Sequence, residues 1–215
     1  MTAKSIFIVG MGPGLSWAVA EKFGQEGFAV GMVSRKSEKL EGYREELLDR
    51  GIASHYATAD VRETDQLEHA LHQLREHLPP VHLLFYNAAA LHPGDILEET
   101  VPGLIDDFKL SVAHAQHSVK LLHADLKAQQ GAVLLTGGGF ALHPNPQMAS
   151  LSLSKAGQRN LALQLHERLA GEGVYCGTLT VAGMISPDRT THAPDKLAGH
   201  FWSMYQAREQ AEVVV

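Results

Sequence analysis

The sequence contains a single cysteine, Cys176, among 215 residues. One thiol excludes a disulfide within the chain and a zinc site built from cysteines. The sequence also lacks any apolar run of about 18 residues, the length that a helix needs to cross a membrane, so we expect no membrane segment. The net charge of −6 is distributed along the chain, which argues against the basic patch of a nucleic-acid-binding protein.

The N-terminus lacks the layout of a signal peptide. Met1 to Ile6 lead directly into an apolar strand pattern, without a charged region, an apolar stretch and a cleavage site made of small residues. We therefore expect a cytoplasmic protein. The length and the apolar content of 45% predict one globular domain over residues 1–215.

Histidine, by contrast, is abundant, with 13 residues scattered along the chain. Two pairs, His69/His72 and His114/His117, have the spacing of neighbours on one helix face. A metal site would need a third ligand and supporting hydrogen bonds. We interpret both pairs as parts of solvated helix faces and predict no metal site.

Strand patterns alternate with helix patterns from end to end. Ser5 to Val9 form a short apolar run before Gly10, which is typical of a strand buried on both faces of a parallel sheet. Apolar residues at helical spacing then predict a helix over residues 14–26, which Gly27 ends. The same alternation predicts further strands at 28–33, 52–58, 81–87, 132–136, 174–181 and 212–215, and helices at 37–50, 63–77, within 99–128, at 148–171 and at 195–208.

This alternation determines the expected fold. Strands separated by helices favour right-handed βαβ units. We predict an α/β protein with a Rossmann-like, doubly wound parallel sheet of about seven strands and helices on both faces. The ligand of such a sheet lies outside the carboxyl ends of its strands.

A glycine-rich loop joins the first strand to the first helix. Glycine lets the backbone turn and approach a phosphate closely, and a helix N-terminus offers free amides to that anion. The spacing fits G-x-x-x-G-x-G, with Ser16 at the last glycine, and not G-x-G-x-x-G. We predict dinucleotide binding, and a turn that merely needs glycine is the alternative. The predicted loop residues are Gly10, Gly12, Pro13, Gly14 and Leu15.

The end of the second strand indicates the cofactor type. An NAD site usually has an acid there for the ribose hydroxyl, but this segment reads Ser34, Arg35, Lys36. The planar guanidinium of an arginine suits a 2′-phosphate. The segment therefore favours NADP(H), with an ordinary solvated helix start as the alternative.

Four further motifs follow in order. They are Asp60-Val61 after the third strand, Asn87-Ala88-Ala89-Ala90 after the fourth, Ser154-Lys155 in the second long helix, and Ala182-Gly183-Met184-Ile185 after the sixth strand. Together with the glycine loop, they resemble the short-chain dehydrogenase/reductase family over nearly the whole chain. The resemblance implies that Asp60 and Val61 contact the adenine, and that the backbone of Gly183 and Ile185 meets the nicotinamide amide. It also places Lys155 at the nicotinamide ribose and Asn87, Ala88 and Ala89 in the cofactor site.

The departures from this resemblance fall on the catalytic positions. The family's tyrosine, four residues before Lys155, is replaced by Leu151, and its asparagine by Ser111. The family's serine falls within Gly137-Gly138-Gly139, with the register left open. In the family, the tyrosine protonates the developing alkoxide and the serine stabilises it. The loss of a positioned acid typically lowers a rate about 10²–10⁴-fold.

Other groups are candidates to replace the tyrosine. His143 lies in the loop before Leu151 and titrates in a suitable range, with an exposed loop histidine as the alternative interpretation. Further polar residues expected near the pocket are Ser150, Ser152, His92, Tyr86 and Thr136.

Two functions remain open. One is an NADP(H)-dependent oxidoreductase with altered proton delivery, acting on acceptors such as quinones or iminium ions. The other is a non-catalytic NADP(H)-binding sensor or subunit. The short polar connector after the sixth strand, residues 186–194, predicts an open site, because family members often carry a larger lid there.

The two long helices predict self-association. They carry more apolar residues than one face needs, and the resembled family pairs these helices across a two-fold axis. We predict a homodimer or homotetramer. The residues concerned are Leu110, Val112, Val119, Leu121, Leu122, Leu153, Leu161, Leu163 and Leu165.

Overall fold

A computed structural model describes residues 3–215. The expectation about a signal peptide concerns a segment that begins with Met1 and Thr2, and these two residues lie outside the described part. The described chain forms one parallel sheet in the order β3-β2-β1-β4-β5-β6-β7. Its strands are β1 (Lys4–Val9), β2 (Phe28–Ser34), β3 (Ser54–Thr58), β4 (Val81–Tyr86), β5 (Ala132–Gly138), β6 (Tyr175–Val181) and β7 (Glu212–Val214). The predicted doubly wound sheet of seven strands is confirmed, and its strand order reverses between β1 and β4.

Helices cover both faces of the sheet. They are α1 (Leu15–Gln25), α2 (Ser37–Asp49), α3 (Thr64–His77), α4 (Val101–Phe108), α5 (His114–Ala128), α6 (Ala149–Ala170) and α7 (Pro194–Ala207). Phe23 of α1 and Phe201 of α7 are fully buried on one face, together with residues of α2. Leu67 of α3 and Leu122 of α5 are fully buried on the other face, with residues of α6. Each face thus has its own apolar core.

The predicted long helix within residues 99–128 is interrupted. A π-helical turn, Lys109–Ala113, separates α4 from α5. The buried hydroxyl of Tyr86 donates a hydrogen bond to the carbonyl oxygen of Leu110 in this turn. π-helical turns occur mostly as single turns within α-helices, often at functional sites. The apolar spacing of the sequence contained no signal for this turn, because it depends on a partner from β4.

The predicted boundaries differ from the observed ones by a few residues. The strand predicted from residue 52 begins at Ser54, because the amide of Ile52 still donates to Leu47 at the end of α2. Gly51, with φ of +75°, makes this helix ending possible. Within residues 3–215, none of the helices combines the length and apolar character needed to cross a bilayer.

Candidate cofactor and catalytic site

A cleft of about 440 Å³ lies at the carboxyl ends of β1, β2, β3 and β4. The four segments that follow these strands meet there. Eleven of the predicted cofactor residues line it: Gly10, Gly12, Pro13, Ser34, Arg35, Lys36, Asp60, Val61, Asn87, Ala88 and Ala89. The structure therefore brings together sequence motifs that lie up to 79 residues apart, from Gly10 to Ala89.

The glycine loop is held rigidly against β4. Gly10 has φ of +93°, and a Cβ there would lie 2.6 Å from the amide nitrogen of Ala88. The hydroxyl of Ser16 donates to the carbonyl of Gly10 at 2.8 Å, and Asn87 Nδ2 donates to Ser16 Oγ at 2.8 Å. Ser16, at the last position of the glycine motif, is thus a structural link between the two predicted motifs.

The outer part of the same loop faces open space. A Cβ on Gly12 or Gly14 would meet no atom within 4 Å. Gly14 caps α1 without a side-chain hydrogen bond, so that the first amides of the helix are available to an anion. The loop therefore forms a backbone cradle that fits the pyrophosphate of a dinucleotide.

The cleft is lined by more cations than anions. Arg35, Lys36, Lys39 and Arg62 all line it, and Asp60 is the one acidic residue among its described lining residues. This balance suits a polyanionic ligand. Sequence reasoning missed Lys39 and Arg62, although Lys39 lies in the first turn of α2, directly after the Ser34-Arg35-Lys36 segment, and Arg62 directly follows the Asp60-Val61 motif.

Lys155 is buried and does not line this cleft. Its Nζ donates to the carbonyl oxygen of Thr136 at 2.6 Å and to Gln158 Oε1 at 2.9 Å. Burial lowers the pKa of Lys155 to about 8. Leu151, one turn earlier in α6, is also buried. The predicted residues Gly14, Leu15, Lys155, Gly183 and Ile185 are not among those that line the cleft.

These outlying residues have different environments. Leu15, the first residue of α1, is buried in the apolar core. Gly183 and Ile185 lie in the exposed connector after β6. The ring of His192 packs directly against the space where a Cβ of Gly183 would lie.

The three glycines at the end of β5 face different neighbours. A Cβ on Gly137 would clash with Thr178 and Thr180, and one on Gly139 would clash with the backbone of Ala182. A Cβ on Gly138 would instead lie 3.3–3.4 Å from the side-chain carbons of Lys155. Gly138 is therefore the glycine that faces Lys155, which the sequence left open.

Three of the candidate proton donors have structural roles or environments of their own. Tyr86 is fully buried, its hydroxyl bonds to Leu110, and burial raises its pKa. Ser152 donates to Met148 at 2.8 Å and accepts from the amide of Asn145 at 3.1 Å, which fixes the start of α6. His143 is exposed and is not a lining residue of the cleft.

Several buried polar atoms near Lys155 have no partner within residues 3–215. They are Thr136 Oγ1, Gln158 Nε2 and the hydroxyl of Ser111 in the π-helical turn. The turn packs against α6, which carries both Lys155 and Gln158. A buried polar atom without a hydrogen bond is costly, so these groups have unused capacity to hold a ligand or water.

A polar cluster lies at one side of the cleft, around Asp107 of α4. The buried Asp107 Oδ2 accepts from Ser150 Oγ at 2.7 Å and pairs with Nε2 of His92, also at 2.7 Å. Its Oδ1 lies 3.5 Å from Nη2 of Arg62. The hydrogen bond to Asp107 raises the pKa of His92. Sequence reasoning named His92 and Ser150 but missed the carboxylate between them.

The histidines of one spaced pair, His114 and His117, bond to other groups of the protein. His114 is buried, and its ring bonds to the carbonyl of Val61 and to Thr64 Oγ1, so its interpretation as part of a solvated face is wrong. His117 Nε2 pairs with Glu68 at 2.7 Å. Among the described residues, no three His, Cys, Asp or Glu side chains are grouped so as to hold a metal ion.

Known proteins share this architecture. The family model described as short chain dehydrogenase matches residues 4–197. The chain is 29% identical to the sulfoacetaldehyde reductase of Chromohalobacter salexigens over 182 residues, covering 79% of this chain and 68% of the relative. It is 25% identical to the 2,3-dihydro-2,3-dihydroxybenzoate dehydrogenase of Bacillus subtilis, covering 100% of this chain and 80% of the relative.

A similar solved structure is a variant of actinorhodin polyketide ketoreductase with NADPH. It superposes with a TM-score of 0.89 at 18% identity, covering 100% of this chain and 97% of that one. The likeness shows that the fold is shared.

Proposed function

This chain belongs to the short-chain dehydrogenase family, and on that premise we propose that it is an NADP(H)-dependent oxidoreductase in which proton delivery is altered. Members of the family bind nicotinamide cofactors. The observation that carries the proposal is the glycine cradle, open towards a cleft whose charged lining is mostly cationic.

Each part of the cofactor has a matching group in the cleft. The free amides at the start of α1 would hold the pyrophosphate, and Asp60 with Val61 would contact the adenine. Arg35, with Ser34 and the neighbouring Lys36, would hold the 2′-phosphate, because a guanidinium donates paired hydrogen bonds to phosphate oxygens. The NADPH in the related ketoreductase structure supports this choice of cofactor.

The departure at the catalytic positions carries the second half of the proposal. When bound, NADPH supplies a hydride. Leu151 has no proton to give, and Gly138, the glycine that faces Lys155, has no hydroxyl to stabilise an oxyanion. The favoured acceptors are therefore molecules such as quinones and iminium ions, for which water or an earlier proton is sufficient.

The hydrogen bonds of Lys155 favour a second candidate function. Its Nζ is bound to Thr136 and Gln158 and does not line the cleft. A protein that binds NADP(H) without turnover, as a sensor or subunit, would have no need of a lysine at the nicotinamide ribose.

Calorimetry with NADPH and NADH, followed by a quinone panel, tests both candidates. We expect tighter NADPH binding and quinone reduction at rates above those of a protein-free mixture of NADPH and quinone. Binding without turnover above this control would favour the sensor or subunit, and absence of NADPH binding would refute both.

We also propose that the protein is a homodimer or homotetramer, as family members commonly are. Most of the apolar residues that predicted self-association pack in this chain's own core, including Leu110, Val119 and Leu122, and of that set Leu153 is exposed. Further exposed apolar side chains on α4 are Val101, Ile105 and Phe108. Phe108 packs closely over Gly157 of α6, so that the two helices form one surface. A cytoplasmic location stays a prediction.

A further inference from the structure

We propose that His92 is the catalytic proton donor of this protein, held in place by Asp107 and Ser150 as positioning residues. This inference rests on the proposed oxidoreductase function and assigns the missing acid to a group that lines the cleft, which Lys155 does not. Three observations carry it: the place of His92 in the cleft, the orientation of its ring, and the charges around it.

The backbone holds His92 beside the start of α6. The segment that follows His92 pairs with the segment that precedes Leu151: Gly94 donates to Gln147 at 3.0 Å, and Ala149 donates to Gly94 at 3.1 Å. His92 itself lines the cofactor cleft. The structure thus anchors an imidazole next to the helix on which the family places its acid.

Asp107 extends this connection through side chains. It bonds at once to His92 and to Ser150, the residue directly before Leu151. The side chain of Asp107 is 7% exposed, whereas that of His92 is 48% exposed. The carboxylate is therefore a buried anchor, and the imidazole is its solvent-facing partner.

The ring orientation leaves one nitrogen available. Nε2 lies 2.7 Å from Asp107 Oδ2, so that this nitrogen carries its proton in both charge states of the ring. Nδ1 has one longer hydrogen-bond partner, the carbonyl oxygen of Pro93 at 3.3 Å, which an acceptor in the cleft would replace. Nδ1 is thus the atom that can give a proton to a ligand in the cleft and regain it from water.

The surrounding charges favour the protonated ring. The hydrogen bond to Asp107 raises the pKa of His92 most strongly, the carbonyl oxygen of Pro93 raises it further, and the charges of Asp107 and Glu99 add to the effect. Arg62 is the facing cation, 3.5 Å from the other oxygen of Asp107. An imidazole with a raised pKa is protonated over more of the neutral range, as a general acid requires.

The proposed step is the reduction of a carbonyl group. The acceptor's electrophilic carbon receives the hydride, and the electron pair of its C=O bond moves onto oxygen. That oxygen takes the proton from Nδ1 of His92. The products are the hydroxyl compound, NADP⁺ and a neutral imidazole, which solvent protonates again.

The first experiment reads the imidazole without any turnover. In ¹⁵N-histidine-labelled protein, assigned with His92→Gln, an NMR titration should give His92 a pKa above that of a free imidazole. Asp107→Asn should lower this pKa, whereas Asp106→Asn, which changes the exposed neighbouring carboxylate, should not. A His92 pKa that is not raised, or that is insensitive to Asp107→Asn, overturns the proposal.

The second experiment compares two acceptors under NADPH saturation. The alkoxide formed from para-nitrobenzaldehyde needs a positioned proton, whereas the anion of reduced menadione takes one from water. His92→Gln should lower aldehyde reduction about 10²-fold and menadione reduction far less. The aldehyde rate should fall as pH rises through the His92 pKa, and Asp107→Asn should move this fall to lower pH.

The outcomes separate this inference from the function on which it rests. His72→Gln, at an exposed position of α3, is the matched control and should change neither rate. Equal loss with both acceptors, or no aldehyde reduction by the wild type, overturns the role of His92 while menadione reduction preserves the proposed function. Failure of NADPH to bind overturns both.

Discussion

Gly10 and Ala88 meet backbone to backbone, where β1 and β4 end: a methyl group on Gly10 would lie 2.6 Å from the amide nitrogen of Ala88. Two residues further on, a methyl group on Gly12 would enter open cleft. Neighbouring glycines of one motif thus have different physical reasons to be glycine. One is required by the fold, and the other is suited to a ligand.

This difference predicts different effects of two alanine substitutions. Gly10→Ala should cost at least about 1–3 kcal/mol of stability, because it adds a clash to a backbone conformation with positive φ. Gly12→Ala should leave stability nearly unchanged but weaken NADPH binding at least tenfold. Thermal unfolding and calorimetry measure the two effects. A Gly12→Ala protein that binds NADPH normally would contradict our placement of the pyrophosphate.

Arg35 should determine the preference for NADPH over NADH. A charge-assisted hydrogen bond contributes about 1.5–3 kcal/mol, which corresponds to roughly a 10–150-fold preference. Arg35→Ala should largely erase this preference by weakening NADPH binding alone. Arg75→Ala, which changes an exposed arginine of α3, is the control, and calorimetry with both cofactors is the measurement. Equal wild-type affinities would show that the assignment to NADP(H) is wrong.

Restoring the family's catalytic groups should require two changes. Even with His92 as the acid, the wild type should reduce simple ketones little, because Gly138 has no hydroxyl to stabilise the oxyanion of these less reactive carbonyls. Leu151→Tyr alone should add little. Leu151→Tyr with Gly138→Ser should give measurable reduction that exceeds the product of the single effects. The new serine requires only that the flexible side chain of Lys155 shift slightly, since the Cβ would lie 3.3–3.4 Å from it.

Oxidation of NADPH with a panel of small ketones measures this effect in the wild type and the three variants. The main obstacle is that Leu151 is buried, so that a larger ring can cost about 1–3 kcal/mol of strain. Rapid wild-type ketone reduction that is undiminished in both His143→Ala and His92→Gln would show that the catalytic positions have been misassigned.

Lys155 should make the stability of the protein depend on alkaline pH. Its pKa is about 8 in the folded chain, against 10.5 for an ordinary lysine. Between pH 8 and 9 the unfolded chain binds more protons at this lysine, so the free energy of unfolding should rise with pH by about 1 kcal/mol. Above pH 9 the raised pKa of Cys176 opposes this rise. Urea unfolding at several pH values should show this rise, and Lys155→Met should abolish it. A rise that persists in Lys155→Met would show that another group is responsible.

The apolar surface of α4 and α6 should hold the oligomer together. Ile105→Glu with Leu153→Glu should convert the wild-type dimer or tetramer to a monomer of 23.3 kDa, because it places charges in a buried contact. Leu48→Glu, at an exposed leucine of α2, should leave the oligomer intact. Light scattering distinguishes these states, and a monomeric wild type would refute the prediction.

The fold, and the meeting of most of the predicted residues in one cleft, could be predicted from the sequence for a local reason. Buried parallel strands appear as short apolar runs, and the motif residues such as Gly10 and Asn87 follow directly at their carboxyl ends. Strand order alone then brings them together. The glycine loop and the Ser34-Arg35-Lys36 segment can each be recognised from the local sequence, without knowledge of a long-range partner.

The catalytic side of the site could not be predicted in this way. The pairing of His92 with Asp107 joins two positions 15 residues apart through the geometry of an interrupted helix. In the sequence, nothing distinguishes Asp107 from the neighbouring acidic residues. Only the fold shows that its side chain is buried. Which of the three glycines faces Lys155 likewise depends on how the end of β5 is oriented relative to α6.

Cys176, the only thiol of the chain, lies fully buried in β6 beside Val133 of β5, and burial raises its pKa. Alkylating reagents attack the thiolate, so they can modify this residue only when the sheet opens. The alkylation rate of the native protein therefore measures how often the sheet opens. A ligand that binds only the closed protein slows opening in proportion to its occupancy. The alkylation rate of Cys176 would therefore report NADPH binding without a substrate or a chromophore.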